Sequence, residues 1–246
     1  MKPLLAPDLL QVWERGREAR PLERALIVLG AGLPGVAWEE LASLSIGQRN
    51  AGLLHLREIT VGPDLDCVAT CPACADQLEL SFQTSDIKYD EFRGVDAAVY
   101  DLSVEGYDLR FRLLNSRDLA LARRWRDPER GGRALVRRCV VAASRDGQPC
   151  PPEALPETAL AALADALGER DPQADVRIGL SCPSCGHEFS LNFDVEEFFW
   201  TEVAARAIRV LREVHVLARA YGWREADILA MSTRRRQAYL ELAPVV

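Results

Sequence analysis

The chain has 246 residues, of which 48% are hydrophobic and 27% are charged, and its formal net charge is −7 at pH 7. This composition is ordinary for a globular protein and allows one large domain or two small ones. The negative net charge excludes a general attraction to nucleic acid, and no apolar run approaches the roughly 20 residues that a membrane span needs.

The N-terminal segment, residues 1–62, is predicted to be helical. Two prolines and Asp8 interrupt the start of the chain, so no signal-peptide apolar region forms and we expect synthesis in the cytoplasm. Pro21 stands at a plausible first position of a helix, and Ser45 and Gln48 have the spacing of a capping box. Three or four short helices would make a small helical layer.

The next stretch, CVATCPACADQLELSF at residues 67–82, contains three cysteines and ends in an alternating, strand-like pattern. Cys67, Cys71 and Cys74 could together hold an iron–sulfur cluster. Alternatively, only Cys71 and Cys74 form a C-P-x-C pair, which would be half of a metal site. The total of seven cysteines is odd, which argues against a closed disulfide framework.

Residues 91–171 are predicted to be a hairpin followed by helices. The hairpin lies at 98–114, and NSRDLALARRW starts the first helix with its Asn or Ser as N-cap. We predict a second helix over 131–143, which buries Cys139, and a third within 151–170.

Positive charge is concentrated in this part of the chain. Residues 107–145 contain eleven arginines and four acidic residues, a local charge of +7. The segment is either a solvated helical face or a docking surface for an acidic partner.

A second C-P-x-C stretch matches the first. CPSCGHEFSLNF at 182–193 has the same order of cysteine pair, short turn and alternating strand as CPACADQLELSF at 71–82. Two residues between cysteines let both sulfurs reach one ion, and two such knuckles complete a tetrahedral zinc site. The predicted Zn²⁺ ligands are Cys71, Cys74, Cys182 and Cys185.

This pairing predicts an α+β fold. Mainly helical N- and C-terminal segments would surround a small zinc-ribbon β element, split between residues 63–90 and 172–194. Residues 91–171 would be an inserted hairpin-plus-helices subdomain, and residues 195–246 the C-terminal helical segment.

Other types of site fit the sequence less well. The iron–sulfur interpretation leaves Cys182 and Cys185 unexplained, and thiol–disulfide chemistry requires a helix after the cysteine pair, where strands are predicted here. His187 could replace one cysteine as a ligand, although such a turn more often leaves the histidine outside. No paired base and nucleophile is visible, so we expect no enzyme.

The C-terminal segment starts with a long helix, for which Asp194 is a candidate N-cap and Gly222 a candidate terminating residue. The short last helix has three arginines in its first turn, where positive charge opposes the helix dipole. Carboxylates of a partner would offset this cost. We therefore hypothesise that the basic residues contacting partners are Arg234, Arg235, Arg236, Arg110 and Arg112.

Five stretches together carry a family resemblance. They are QVWERGREARPLERALIVL (11–29), LREITVGP (56–63), VEGYDLRFRLLNSRDLALA (104–122), CPSCGHEFSLNFDVEEFFWTEV (182–203) and the ending at 210–242. They resemble baseplate proteins of contractile phage tails and contractile injection systems, similar to the T-even phage baseplate hub family. The resemblance covers most of the chain and is most specific at 195–243 and 102–125.

The resemblance implies a structural or assembly component of a baseplate, with zinc in a purely structural role. Hub, spike, tube or wedge proteins would be its partners, and no catalytic residues are implied. The alternative class is a zinc-ribbon protein that binds nucleic acid or has a regulatory role. A zinc hydrolase or an iron–sulfur enzyme fits the sequence less well.

Overall fold

The computed structural model describes residues 1–89, 91–94, 98–122, 125 and 127–243. Its composition, 55% helix and 19% strand, confirms the α+β class. The helices are α1 (Ala6–Gly16), α2 (Pro21–Gly32), α3 (Trp38–Ser43), α4 (Ile46–Val61), α5 (Thr84–Ile87), α6 (Ser116–Ala122), α7 (Pro128–Cys139), α8 (Glu157–Arg170), α9 (Val195–Tyr221), α10 (Glu225–Leu229) and α11 (Thr233–Leu242).

The strands of the described ranges form three antiparallel sheets. They are β1 (Asp64–Thr70), β2 (Gln77–Gln83), β3 (Val99–Val104), β4 (Tyr107–Arg112), β5 (Val140–Arg145), β6 (Gln148–Pro149), β7 (Arg177–Ser181) and β8 (Glu188–Asn192). β1–β2 and β7–β8 are separate two-stranded hairpins, and β3 to β6 make a four-stranded sheet in sequence order.

The N-terminal helices share one hydrophobic core with the start of α9. α2 buries all five residues from Ala25 to Leu29, and Phe199 and Val203 of α9 pack into the same cluster. α1 lies directly against α9, because Gly16 has no Cβ and the ring of Trp200 occupies the place where one would stand. The N-terminal segment therefore depends on the C-terminal helix for its core.

Both hairpins are anchored in this core. Leu65 of β1 and Phe193, which follows β8, are buried in it. The ring of Phe82 on β2 meets the ring of Phe193 edge-on, with centroids 5.7 Å apart. The bases of the two hairpins are therefore in contact.

The sequence between the hairpins has its own core. Tyr107, Leu109 and Phe111 point from β4 towards Leu160 and Leu163 of α8. Alternate residues of β4 are buried, as expected for a strand with one face on a core.

The helix predicted over 131–143 is wrong in its last part. α7 ends at Cys139, and Val140–Arg145 is strand β5, paired with β4 through partners such as Leu109 and Ala143. β4 offers an open edge, and the β-branched Val140 and Val141 fit a strand better than a helix. Cys139 is nevertheless buried, as predicted.

Several predicted helix ends are correct. The Asp194 side chain accepts a hydrogen bond from the Glu197 amide at the start of α9, and Gly222 ends that helix with φ of +69°. The Ser45 hydroxyl accepts from the Gln48 amide at the start of α4. These local signals were readable because each cap involves only neighbouring residues.

Candidate metal centre

The tips of the two hairpins bring four cysteines together. Cys71 and Cys74 follow β1, and Cys182 and Cys185 follow β7. All four sulfurs lie within 4.8 Å of one another. The two segments are more than one hundred residues apart in sequence, so this meeting is purely tertiary.

Each knuckle is built by the same backbone hydrogen bonds. The Cys71 amide donates to the carbonyl of Asp76 at 2.8 Å, and the Cys182 amide donates to the carbonyl of His187 at 2.9 Å. The Ser184 hydroxyl of one knuckle donates to the Asp76 carboxylate of the other. The tips are therefore near-copies that also contact each other directly.

The fifth residue of each motif closes the turn in the left-handed region. The Ala75 amide donates to the Cys71 carbonyl at 2.9 Å, and the Gly186 amide donates to the Cys182 carbonyl at 2.8 Å. The φ angles are +61° at Ala75 and +72° at Gly186. Glycine adopts this conformation freely and alanine does not, so the first knuckle carries strain that the second avoids.

The sulfur positions fit a single tetrahedral ion. The Sγ atoms of Cys71 and Cys185 are 3.8 Å apart, and those of Cys74 and Cys182 are 3.6 Å apart. Four sulfurs at about 2.3 Å from one zinc ion would stand about 3.8 Å from each other. Disulfide bonds would need a separation of about 2.05 Å, so these cysteines are not paired covalently.

Two of the four cysteines are buried and two are exposed. Cys71 and Cys182 are buried beside Leu78, with Leu80 and Phe189 packed around them, whereas Cys74 and Cys185 are exposed. The cluster is therefore partly accessible to solvent, through Cys74 and Cys185.

The thiols of the cluster differ in acidity. Desolvation acts to raise the pKa of Cys71, but backbone N–H groups of Cys74 and Ala73 donate to its sulfur and the pKa falls to about 7. The pKa of Cys74 rises to about 12, because hydrogen bonding to the Asp76 amide is outweighed by the neighbouring Cys185 thiol and by desolvation. Each thiolate formed in the cluster makes it harder to deprotonate the next thiol, and a bound divalent cation would offset this negative charge.

The other candidate ligands lie outside the cluster. Cys67 pairs with Leu80 in the β1–β2 ladder and does not belong to the group of four sulfurs. His187 is exposed and its ring stacks on Phe189. The geometry thus gathers the sulfurs of the matched pairs and not the three cysteines of the alternative cluster motif.

The family described as T4 bacteriophage base plate protein matches residues 35–200, about two thirds of the chain. The chain belongs to this family. The match includes both cysteine knuckles and the sequence between them, and it supports a structural role in a phage baseplate.

The matched range of this baseplate protein differs in part from the stretches that carried the resemblance. It includes 102–125 but ends at residue 200, so most of the C-terminal stretch at 195–243 lies outside it, as does 11–29. None of the curated proteins and none of the solved structures gives a significant match.

Within the described part of the baseplate protein, no helix has the length and apolar character needed to cross a membrane.

The five arginines predicted to contact partners fall into two groups. Arg110, Arg234 and Arg235 are exposed, and Arg235 lies over the ring of Tyr239.

The structure corrects the prediction that Arg236 contacts a partner, because its side chain is buried within the chain. It is 3% exposed, its Nε donates to the Glu213 carboxylate at 2.9 Å, and it also bonds the Met231 carbonyl. Arg112 is likewise engaged within the chain, in a bidentate pair with Asp118 at 2.6 and 3.0 Å. The sequence analysis did not identify Asp118 and Glu213 as the partners of these arginines. Each acid lies on a different element from its arginine, and only the packing of those elements brings them together.

Proposed function

We propose that this chain is a structural or assembly component of the baseplate of a contractile phage-tail-like particle, stabilised by a structural Zn²⁺ held by Cys71, Cys74, Cys182 and Cys185. The spacing of the four sulfurs carries the zinc part of this proposal. Family membership supports the baseplate part.

The role of the metal would be to join two distant segments. Four thiolates close a tetrahedral shell and leave no open position for a water or a substrate, which favours a structural site over a catalytic one. Cys74 and Cys182 are 108 residues apart in sequence. The ion would thus tie together hairpins that the intervening 91–171 subdomain would otherwise leave joined only at their bases.

The partners would be other baseplate components, from the hub, spike, tube or wedge. Arg110, Arg234 and Arg235 are exposed and could grip carboxylates on such a surface. Arg112 and Arg236 are left out of this surface because their guanidinium groups bind the buried Asp118 and the largely buried Glu213. Arg110 stays in it, because the acid of this chain that it faces, Asp101, is exposed and 3.6 Å away.

The zinc assignment is tested by elemental analysis and X-ray absorption of the purified protein. We expect one zinc per chain with four sulfurs near 2.3 Å. Cys67→Ser is the matched control, because that thiol precedes the knuckle but lies outside the cluster, and it should retain the metal. Iron with labile sulfide after anaerobic purification would overturn the assignment.

The baseplate assignment is tested in cells that produce the particle. A tagged chain should co-purify with hub or tube proteins, and the Arg234→Gln, Arg235→Gln double variant should do so less while keeping its zinc. Normal particles assembled in the complete absence of this chain would contradict the proposal.

A further inference from the structure

A cleft of about 460 Å³ lies where the helical layer meets the inserted subdomain. Ser43 and Ser45, at the junction of α3 and α4, form one wall, and Tyr100 of β3 forms part of the other. This volume is within the range of protein binding pockets.

Arginine dominates the charge of the cleft. The described lining residues include five arginines and two aspartates, an excess of three positive charges in a protein whose net charge is negative. The arginines come from five places in the chain and converge only in the folded protein: they are Arg93, Arg112, Arg117, Arg138 and Arg170.

One of the aspartates is shared between two arginines. Asp118 is completely buried, accepts two hydrogen bonds from Arg112, and accepts a third from Arg138 Nε at 3.1 Å. One carboxylate therefore neutralises only one of two guanidinium charges. Both arginines are partly exposed, with 31% and 41% of their side chains accessible, so the remaining charge faces the cleft.

Two further arginines of the cleft have no acidic partner in the part of the chain that the structure describes. Arg117 donates to the Glu39 carbonyl at 2.6 Å, and the guanidinium of Arg170 lies 5.1 Å from the centre of the Tyr100 ring. Among the residues that the structure describes, neither forms an ion pair, and both side chains are exposed. Arginines held by a carbonyl and by an aromatic face keep N–H donors for a second group.

We propose that this cleft binds an acidic peptide segment of another baseplate subunit, whose carboxylates pair with Arg117 and Arg170. The inference rests on the proposed function, since it names the kind of surface that a partner would offer. The bidentate pair of Arg112 with Asp118 shows the same recognition within the chain itself.

A peptide fits the cleft better than a phosphate group or a nucleic acid. Apolar side chains of Val99, Leu113 and Val141 line it beside the arginines, which suits the mixed surface of a protein segment. The sequence has no glycine-rich phosphate loop. The net charge of −7 would repel a long polyanion that extends beyond the cleft.

The test measures how tightly the zinc-loaded protein binds a hexaglutamate peptide with blocked ends. Isothermal titration calorimetry at low ionic strength gives the affinity. We expect binding that weakens by at least about tenfold in the Arg117→Gln, Arg170→Gln double variant. The Arg212→Gln, Arg219→Gln double variant is the matched control. It removes the same charge from exposed positions on α9 and should bind as the wild type does.

Equal weakening in both double variants, or equal binding of hexaglutamine, would overturn the proposal because the arginines of the cleft would not be responsible. Binding of inorganic pyrophosphate or of a single-stranded oligonucleotide without binding of hexaglutamate would overturn it in favour of a phosphate ligand. If the peptide fails to bind while the chain still co-purifies with the baseplate, this inference fails and the proposed function stands.

Discussion

Ala75 and Gly186 occupy the same place in the two knuckles, yet only glycine suits it. Both have φ near +65°, and no atom lies within 4 Å of the position where a Cβ on Gly186 would stand. The difference between them is therefore one of backbone strain, without a steric clash. Because the same turn occurs twice in one chain, comparing the two positions isolates the energetic cost of one positive φ angle.

The first prediction follows from this strain. Ala75→Gly should stabilise the zinc-loaded protein by up to about 1 kcal/mol, and Gly186→Ala should destabilise it by about 1 kcal/mol or more. Urea unfolding monitored by circular dichroism measures both. Ala73→Gly is the control, because Ala73 is exposed in the same turn without a positive φ and should be neutral or slightly destabilising. Equal effects of Ala75→Gly and Ala73→Gly on the free energy of unfolding would rule out the strain.

Asp118 is the second residue with a measurable consequence. Desolvation acts to raise the pKa of its carboxyl, but hydrogen bonds from Arg112 and from the Asn115 amide outweigh it, and the pKa is lowered. A lowered carboxyl pKa stabilises the folded state above the unfolded value of about 3.9. This stabilisation is lost as the pH falls through the folded pKa.

We therefore expect Asp118→Asn to lower the free energy of unfolding by about 2–3 kcal/mol at pH 7. The difference from the wild type should shrink as the pH falls below the unfolded value of about 3.9, and it should vanish as the pH falls through the lowered folded pKa. Urea titrations at a series of pH values measure that difference; acid release of a bound metal affects both proteins alike. Asp101→Asn, at an 83% exposed acid 3.6 Å from Arg110, should change little. A pH-independent Asp118→Asn effect would contradict the linkage.

At the scale of elements, the attachment of α11 to α9 depends on Arg236. Its guanidinium reaches the Glu213 carboxylate of α9 and the Met231 carbonyl before α11. An aromatic contact adds to it, with the rings of Trp223 and Tyr239 4.8 Å apart. The positive charge that opposes the dipole of α11 thus has a partner inside the chain at this position.

Arg236→Gln should consequently loosen α10 and α11. Leaving the Glu213 carboxylate without its partner in a largely buried place should cost about 3 kcal/mol. Hydrogen–deuterium exchange should rise across 225–242 and stay unchanged at the knuckles. Arg234→Gln, at a nearby exposed position, is the control and should exchange as the wild type does. Unchanged exchange in Arg236→Gln would mean that the aromatic contacts alone hold α11.

At the scale of the whole molecule, the two hairpins are joined at both ends. Their bases meet through Phe82 and Phe193 inside the main core, and their tips meet at the four cysteines. The 91–171 sequence between them packs a core of its own. A metal at the tips would therefore stabilise the arrangement of the hairpins more than the helical layer.

Cys182→Ser tests this arrangement. Loss of one thiolate should lower the melting temperature and raise hydrogen exchange in 63–90 and 172–194 together, with less change in the N-terminal helices. Because Leu65 and Phe193 hold the bases in the core, the increase should be greatest near the tips. Treatment of the wild type with a strong chelator should reproduce the pattern. No change at 63–90 would mean that the knuckles do not share an ion.

The sequence alone was sufficient for features that depend on neighbouring residues or on a repeated pattern. The matched C-P-x-C motifs, each followed by an alternating strand, predicted which four cysteines meet, and Asp194 and Gly222 marked the ends of α9. Caps and knuckles are short-range hydrogen-bonded turns, so the residues that form them stand next to each other in the chain.

Only the tertiary structure decided which elements pair and which charges are internal. Val140–Arg145 became a strand because β4 offered an edge, and Arg236 became internal because α11 folds back on α9. The arginines of the cleft come from separate elements, and no local pattern places them together. The pairing of an edge and the burial of a charge depend on distant segments, whose approach is set by the packing of the cores and not by the adjacent sequence.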